Sequence, residues 1–300
     1  MSQVTSDEIA VSCARSNSCH ASLVTRHTFA FTLIEMLVVI AILGLIAGLA
    51  VPALKNLGKS DATVSAARQM LDDIGRARQL AISQRTTVYM VFVPTNFWNN
   101  LNYNSAAVSS TWLNTYLTPA QKSLVTNLCD HQLTGYIFIG QGTVGDQPGR
   151  HNWHYLSSWQ NLPAGTFIAP QKFTPPNQLN PAAVANFDGT IYDMYGFTTN
   201  VVPFPVETNS TVFLNLPSLV FDSFGHLLDQ SGQIAQRHEY IPLAHGSIAP
   251  AIDPVTKVFI LANGISVVEN PPGNSTNISA NIIDIDPLTG RATLQFQKVQ

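Results

Sequence analysis

The chain has 300 residues, with 15 lysine and arginine residues against 18 aspartate and glutamate residues, and a formal net charge of −3. This length allows one or two domains with a sizeable core, and the absence of a basic run argues against a nucleic-acid-binding surface. Charged residues make up only 11% of the chain. Together with its many glycine, proline and small polar residues, this is typical of a β-rich secreted or envelope protein.

Residues 1–30 form a polar leader without clear periodicity, and the small residue Ala30 ends it. A secretory signal peptide places its apolar region before the cleavage site, whereas here the apolar region follows. Cleavage before Phe31 would therefore leave the apolar segment on the mature chain. It would also leave Cys129 as the single cysteine, so we expect a fold without an internal disulfide.

The stretch Met36–Leu54 contains no charged residue, and only two glycines and Pro52 interrupt its aliphatic character. Roughly 20 apolar residues, at about 1.5 Å rise per residue, span the ~30 Å hydrocarbon core of a bilayer. The sequence therefore predicts a transmembrane or filament-core helix over residues 31–54, with a kink at Pro52 because proline removes a backbone donor. Glu35 lies just before this run, and an isolated carboxylate there marks a functional residue.

The stretch Ala30–Glu35 reads AFTLIE, and together with the aliphatic run behind it resembles the N-terminal signature of type IV prepilins and type II secretion pseudopilins. The resemblance implies that a prepilin peptidase cuts between Ala30 and Phe31 and N-methylates the new amino terminus. The residue before the cut is usually glycine in that family, so Ala30 departs from the pattern. Glu35 matches the family's assembly glutamate.

A physical role supports this interpretation of Glu35. A cationic amino group at Phe31 can neutralise the carboxylate of a neighbouring subunit in a medium of low dielectric, which favours one axial register between helices. The alternative is an ordinary signal anchor in which Glu35 lies at the level of the lipid headgroups.

Beyond the apolar run the sequence becomes polar but keeps a helical period, which predicts an amphipathic helix over residues 55–85. One helix would then extend from about Phe31 to about Gln84. Its small and apolar residues recur mostly at spacings of three and four: Ala62, Ala66, Ala67, Met70, Leu71, Ile74, Ala77, Leu80 and Ala81.

Residues 86–300 have the pattern of a β-rich globular domain, which begins with a β-branched and aromatic strand over 86–93. The part from 95 to 217 is loop-rich and has the character of an insertion. It includes a predicted helix over Pro119–Thr126. Thr118 would be its N-cap, and Gln121, three positions later, would complete a capping box. The further strands that we predict are 135–139, 166–168, 218–221, 258–262, 265–268, 281–285 and 292–296, with hairpin turns at 263–264 and 287–290.

Three short fragments resemble the H-type minor pseudopilins and their type IV pilus counterparts: the helix–strand junction around Arg78, the segment 219–227 with Gly225 at a turn, and the closing hairpin 285–294. The resemblance implies an α+β, pilin-like fold. A long N-terminal α-helix, membrane-spanning in its first half, would pack on a mostly antiparallel β-sheet domain. It also implies a single-pass protein of the bacterial inner membrane with a periplasmic globular domain.

The function implied by the resemblance is structural and not enzymatic: a minor pseudopilin of a type II secretion pseudopilus, without a cofactor. Its partners would be the prepilin peptidase and N-methylase, other pilin or pseudopilin subunits, and an inner-membrane platform driven by a cytoplasmic ATPase. One alternative is a type IV pilus subunit for adhesion or DNA uptake, although lysine and arginine are sparse in 95–217.

Other chemistry has weak support in the sequence. A membrane-anchored enzyme could use His131, His151 and His154 as zinc ligands, but the context of a metalloprotease motif is missing. No nucleophile elbow, Walker motif or dinucleotide fingerprint occurs. Asn274 opens a formal glycosylation acceptor that we interpret as an ordinary turn sequence.

Overall fold

The computed structural model describes residues 33–97, 118–142, 152–174, 184–185, 191–192, 194–204, 213–257, 259–260, 264–276 and 281–295, without the side chains of 47, 49–61, 184–185, 191–192 and 281. The chain divides into two compact units, Met1–Pro52 and Ala53–Gln300.

One long helix, α1, covers Leu33–Gln84. Its end at Gln84 confirms the predicted end, while Phe31 lies outside the described residues. The backbone is helical through Pro52 and Gly58, so the kink at Pro52 stays a prediction. The second helix, α2, covers Pro119–Leu128, two residues further than predicted, and a short 3-10 segment follows it at Cys129–His131.

The N-terminus of α2 is held by the predicted capping box. The Thr118 hydroxyl accepts from the Gln121 backbone N–H at 3.4 Å, and the Gln121 side-chain oxygen accepts from the Thr118 N–H at 2.9 Å. These reciprocal bonds satisfy two backbone donors that a helix start otherwise leaves unpaired. The local sequence therefore determines where this helix begins.

The strands of the described residues are short to medium in length and pair antiparallel throughout. They are β1 Thr87–Phe92, β2 Gly135–Gln141, β3 Trp153–Tyr155, β4 Gln160–Asn161, β5 Thr166–Ile168, β6 Val184–Ala185, β7 Ile191–Tyr192, β8 Thr199–Pro203, β9 Phe213–Phe221, β10 Leu227–Leu228, β11 Glu239–Ala249, β12 Ser266–Glu269, β13 Asn281–Ile285 and β14 Ala292–Gln295.

Two main sheets form the β structure of the second unit. The first has the order β10-β9-β1-β2-β3, with β4 on β2 and β8 on β9, and the second has the order β12-β11-β13-β14, with β5 on β11; β6 and β7 pair with each other. The antiparallel β domain of the predicted α+β fold is confirmed. The region 95–217 supplies β2, an interior strand of the first sheet, and β5 beside β11, so part of it belongs to the two main sheets.

Most of the predicted strands are present, and the predicted hairpin with its turn at 263–264 stays a prediction. Residues 258 and 261–263 lie outside the described part of the chain, whereas Phe259 forms an isolated bridge with Ile252. The following strand β12 pairs with β11. The closing hairpin is confirmed, because β13 pairs with β14 in the register Ile285↔Ala292.

The main core lies between α1 and the two sheets of the second unit. The predicted apolar face of α1 is buried: Ala66, Ala67, Met70, Ile74, Ala77 and Ala81 are inaccessible to solvent. Val88, Met90 and Phe92 of β1 join this core, whereas Val91 joins a second core that includes Val125 of α2. Both faces of β1 are therefore buried, because successive side chains of a strand point to opposite faces. This explains the continuous apolar character of its sequence.

A buried hydroxyl fixes α1 against the first sheet. Tyr136 of β2 donates to the Asp73 carboxylate and accepts from Gln69 Nε2 at 2.8 Å. Gln69 also donates to the Asn161 carbonyl oxygen at 2.8 Å. Burial and the Asp73 carboxylate raise the pKa of Tyr136 above its ordinary value, so the hydroxyl keeps its proton and remains a donor.

Candidate functional site

The described apolar side chains at the start of α1 are all exposed. Their exposed fractions range from 42% to 84%: Leu33, Ile34, Met36, Leu37, Val38, Val39, Ile40, Ile42, Leu43, Leu45 and Ile46. These residues occupy 11 of the 14 positions from Leu33 to Ile46 and cover every side of the helix. A helix that is apolar all round is stable only when other apolar groups surround it. Because each such side chain gains roughly 1.5–3 kcal/mol on full burial, covering this segment would be strongly favourable.

Glu35 lies in the first turn of α1, and its side chain is exposed. A carboxylate there interacts favourably with the partial positive charge of the helix N-terminus. The next acidic residue in the sequence is Asp61, so Glu35 is the single negative charge of the exposed apolar segment. The arrangement suits a contact with a cationic group of another molecule.

The structure does not show the side chains of the residues predicted for cleavage and for the helix kink. Ala30 and Phe31 lie outside the described residues, and at Pro52 the backbone is described without the side chain. Their roles stay predictions. Within the side chains that the structure describes, no helix is apolar over a length sufficient to cross a membrane.

A second candidate site joins the three fragments that resembled the H-type subunits. Arg78 of α1 donates through Nε to the Thr289 carbonyl oxygen at 2.7 Å. The Leu227 N–H donates to the Pro287 carbonyl oxygen at 2.9 Å, which places the turn after β9 beside the turn after β13. The sequence shows each fragment separately, and only the tertiary structure shows that they form one contact.

Aspartate side chains hold these two turns. Asp222 Oδ1 accepts from the backbone N–H groups of Phe224 at 2.9 Å and His226 at 2.8 Å, and Asp222 Oδ2 lies 2.8 Å from His226 Nδ1. Asp286 Oδ1 accepts from the Leu288 N–H at 2.8 Å. Partial burial works to raise the pKa of Asp222, but hydrogen bonds from His226 and Phe224 outweigh it and hold this pKa below its ordinary value.

The residues considered for metal chemistry are distributed over separate elements. His131 ends the 3-10 segment, His154 lies in β3, and His151 is outside the described residues. Among the described side chains, no group of three or more histidine, cysteine, aspartate or glutamate residues could hold a metal ion. Burial, with a smaller effect of Asp130, raises the pKa of the Cys129 thiol to about 12, which suppresses the reactive thiolate.

One buried charge pair is not apparent from the sequence. The Lys172 side chain is inaccessible, and its Nζ lies 2.5 Å from Glu239 Oε1 and 2.7 Å from the Tyr195 carbonyl oxygen. Nζ also lies 4.8 Å from the centre of the Phe197 ring. Burial lowers the pKa of Lys172, and the Glu239 carboxylate opposes this effect. No sequence pattern distinguishes this lysine from an exposed one.

Asn274 has a structural role in a turn. Its Nδ2 group donates to the carbonyl oxygens of His245 at 2.6 Å and Pro271 at 3.0 Å, and its Oδ1 accepts from the His245 N–H. The residue is 8% exposed. This amide is therefore committed to joining the turn to β11, in agreement with its interpretation as an ordinary turn sequence.

Comparison with known proteins adds one match. A family model described as the prokaryotic N-terminal methylation motif matches residues 25–51. The matched range includes the predicted cleavage position between Ala30 and Phe31, Glu35 and the whole exposed apolar segment Leu33–Ile46. No curated protein and no solved structure matches the chain.

Proposed function

Because its prepilin-type methylation motif marks the chain as a type IV pilin-like or pseudopilin protein, we propose that it is a minor pseudopilin of a type II secretion pseudopilus. The motif implies a structural protein, a prepilin peptidase that processes it, and assembly with other pilin subunits. The observation that carries the proposal is the exposed apolar segment Leu33–Ile46, which has Glu35 as its single acidic residue.

In this proposal the leader 1–30 is removed on the cytoplasmic side, and residues 31–54 anchor the subunit in the inner membrane. Residues 55–85 continue the helix, and residues 86–300 form the periplasmic domain with its insertion at 95–217. The chain then leaves the membrane and enters a short filament that moves substrates out of the cell. An ATPase of the inner-membrane platform supplies the work.

Assembly follows from the properties of the apolar segment. Packing among neighbouring helices covers the side chains of Leu33–Ile46, which are exposed in the single chain. The methylated amino group of Phe31 in one subunit pairs with the Glu35 carboxylate of its neighbour, and the low dielectric strengthens this attraction. Since an unpaired charge is costly in such surroundings, the pair selects one register among the many that apolar packing alone allows.

The first test is the N-terminal mass of the mature protein. We expect a chain that begins at N-methylated Phe31, because the motif covers this position. A mature chain that still begins at Met1 would overturn the proposal. The same measurement on Ala30→Gly, which restores the usual residue before the cut, should show cleavage at the same bond.

The second test concerns Glu35. We expect Glu35→Ala to be cleaved and methylated normally but to enter the filament at least tenfold less than the wild type. Asp72→Ala is the matched control, because it removes an exposed acid of the same helix and should assemble normally. Normal assembly of Glu35→Ala would show that the charge pair does not direct assembly.

A type IV pilus subunit is the second candidate function, because the methylation motif does not distinguish the two machines. The fragments around Arg78, Gly225 and Gly290 resemble H-type minor pseudopilins and their type IV pilus counterparts alike, so they do not separate the two machines either. Deletion of the gene separates the candidates: loss of exported proteins with surface pili intact supports the pseudopilin, and loss of surface pili supports the pilus subunit.

A further inference from the structure

A cleft of about 540 Å³ opens in the second unit where two segments leave the same edge of β9. On this edge the Thr198 carbonyl oxygen accepts from the Ser218 N–H at 2.9 Å, and Leu228 of β10 pairs with Val220. Residues of both segments line the cleft. Its volume lies in the range of roughly 300–1,000 Å³ that is typical of ligand-binding sites.

The apolar part of the cleft is fixed by the main core. Leu219 and Leu227 line the cleft, and both belong to that core, with each residue 3% exposed. Ala235 also lines the cleft and packs against the same core. Because core packing holds these side chains in one arrangement, an apolar side chain of a ligand would meet a preformed surface, at little cost in ordering the protein.

Arg237 supplies a positive charge to the lining of the cleft. Its guanidinium carbon lies 3.5 Å from the centre of the Tyr195 ring, and this contact restrains the planar group against the ring. The five N–H donors of a guanidinium lie in its plane and outnumber what a single acceptor can use. A guanidinium held in this way suits a carboxylate, which it can bind through two parallel hydrogen bonds.

The acidic residues of the lining are engaged within the chain. Glu239 Oε1 lies 2.5 Å from Nζ of the buried Lys172, which balances its charge. Asp229 Oδ1 accepts from the Ser231 N–H at 2.8 Å and from the Ser231 hydroxyl at 2.6 Å, and these bonds hold Asp229 in its own turn. Among the described residues of the lining, Arg237 is therefore the charge that selects a ligand, and an anionic group complements it.

We propose that this cleft binds an extended segment of another protein that carries an acidic side chain within two positions of an apolar one. The apolar side chain covers Leu219, Leu227 and Ala235, and the carboxylate pairs with Arg237. Residues two positions apart in an extended segment face the same side, so one segment can present both groups. The cleft opens at a sheet edge, where extended segments commonly dock.

Selection from a peptide library tests the cleft in the full-length protein. A phage library of random octapeptides would be selected on the wild type and on Ala235→Phe, whose larger ring fills the apolar part of the cleft. We expect the wild type to enrich peptides that have an acidic residue within two positions of an apolar one. Ala235→Phe should bind these peptides at least tenfold more weakly. Enriched peptides without the acidic residue, equal binding by Ala235→Phe, or no enrichment would overturn the inference.

A second measurement compares one selected peptide with its counterpart in which the acidic side chain is replaced by the corresponding amide. On the wild type we expect the amide peptide to bind at least tenfold more weakly, because it loses the charge-assisted bonds. On Arg237→Gln this preference should disappear. Arg291→Gln is the matched control, since Arg291 is also exposed but lies outside the cleft lining. An unchanged preference for the acid in Arg237→Gln would refute the pairing with Arg237.

The cleft and the N-terminal segment can be tested separately. The inference goes beyond the proposed function, because it gives the second unit a recognition site that does not involve Phe31 or Glu35. The comparison of the two peptides on the wild type needs no variant, so it tests the cleft even where a substitution prevents folding. Absence of peptide binding by a protein that is normally processed at Phe31 would refute the cleft and leave the proposed function intact.

Discussion

Arg78 donates through Nε to the carbonyl oxygen of Thr289 at 2.7 Å, across a separation of 211 residues in the chain. The guanidinium lies where two glycine turns meet: a Cβ at Gly225 would be 2.9 Å from Arg78 Nε, and a Cβ at Gly290 would be 3.2 Å from Arg78 Cδ. The end of α1 is thereby fixed to both turns. The contact between these three segments therefore requires the Arg78 side chain, and it also requires that Gly225 and Gly290 carry no side chain.

Gly290→Ala should destabilise the second unit strongly. The residue has a φ of +60° and its new methyl group would overlap the Gly225 carbonyl oxygen, so the cost combines left-handed backbone strain with a steric clash. We expect a loss of about 3 kcal/mol or more in the free energy of unfolding, measured by urea unfolding with tryptophan fluorescence.

Gly232→Ala is the matched control for this prediction. It has a φ of +78° but nothing within 4 Å of the added methyl group. Only the backbone strain remains there, and we expect a loss of about 1 kcal/mol. Equal losses for the two variants would show that the close approach of Gly225 and Gly290 is unimportant for stability.

Tyr136→Phe tests the attachment of α1 to the first sheet. It removes the hydroxyl that donates to Asp73 and accepts from Gln69, while the ring remains buried. Since Asp73 then loses its donor, we expect a loss of about 1–2 kcal/mol in the free energy of unfolding. Tyr89→Phe, which removes a single bond to Gln141 at 3.1 Å, should cost less, and the reverse order would contradict the proposed role of Tyr136.

Glu239→Gln should be costly because it leaves the Lys172 ammonium group buried without its counter-charge. Removal of one partner of a buried ion pair typically costs about 3–5 kcal/mol. The double variant Lys172→Met/Glu239→Gln removes the buried charge as well and should recover at least half of that loss. Urea unfolding of the single and double variants measures both effects, and a double variant as unstable as Glu239→Gln would argue against a charge effect.

Asp222 should contribute to the stability of the second unit only above acidic pH. Its pKa in the folded state is below its ordinary value, so the unfolded chain binds the proton more readily and stability falls as the pH drops below about 4. The side chain is 21% exposed, and we expect a contribution of about 1 kcal/mol at most. In Asp222→Asn, which keeps an acceptor for the turn, the stability between pH 5 and pH 2 should fall less steeply than in the wild type. Parallel pH profiles would show that this carboxylate is not involved.

Several helices and turns could be predicted because they depend on residues that are close together in the sequence. The alternation of small and apolar residues placed the buried face of α1, including Met70 and Ile74. The capping box placed the start of α2 at Thr118, because its bonds involve residues only three positions apart. The turn with Gly290 placed the closing hairpin for the same reason. The pairing of β12 with β11 was not predictable in this way, because it depends on strand register and not on residues a few positions apart.

The methylation motif and the apolar segment with Glu35 are determined by the sequence alone, because consecutive residues form them and a peptidase or a membrane meets them as a continuous stretch. Tertiary structure alone decided the contact of Arg78 with Thr289, the burial of Lys172 against Glu239, and the position of the turn at Gly225 beside the turn at Gly290. Each of these relationships joins residues from different strands or turns. Their distances depend on strand register and helix packing, which no local pattern of residues specifies.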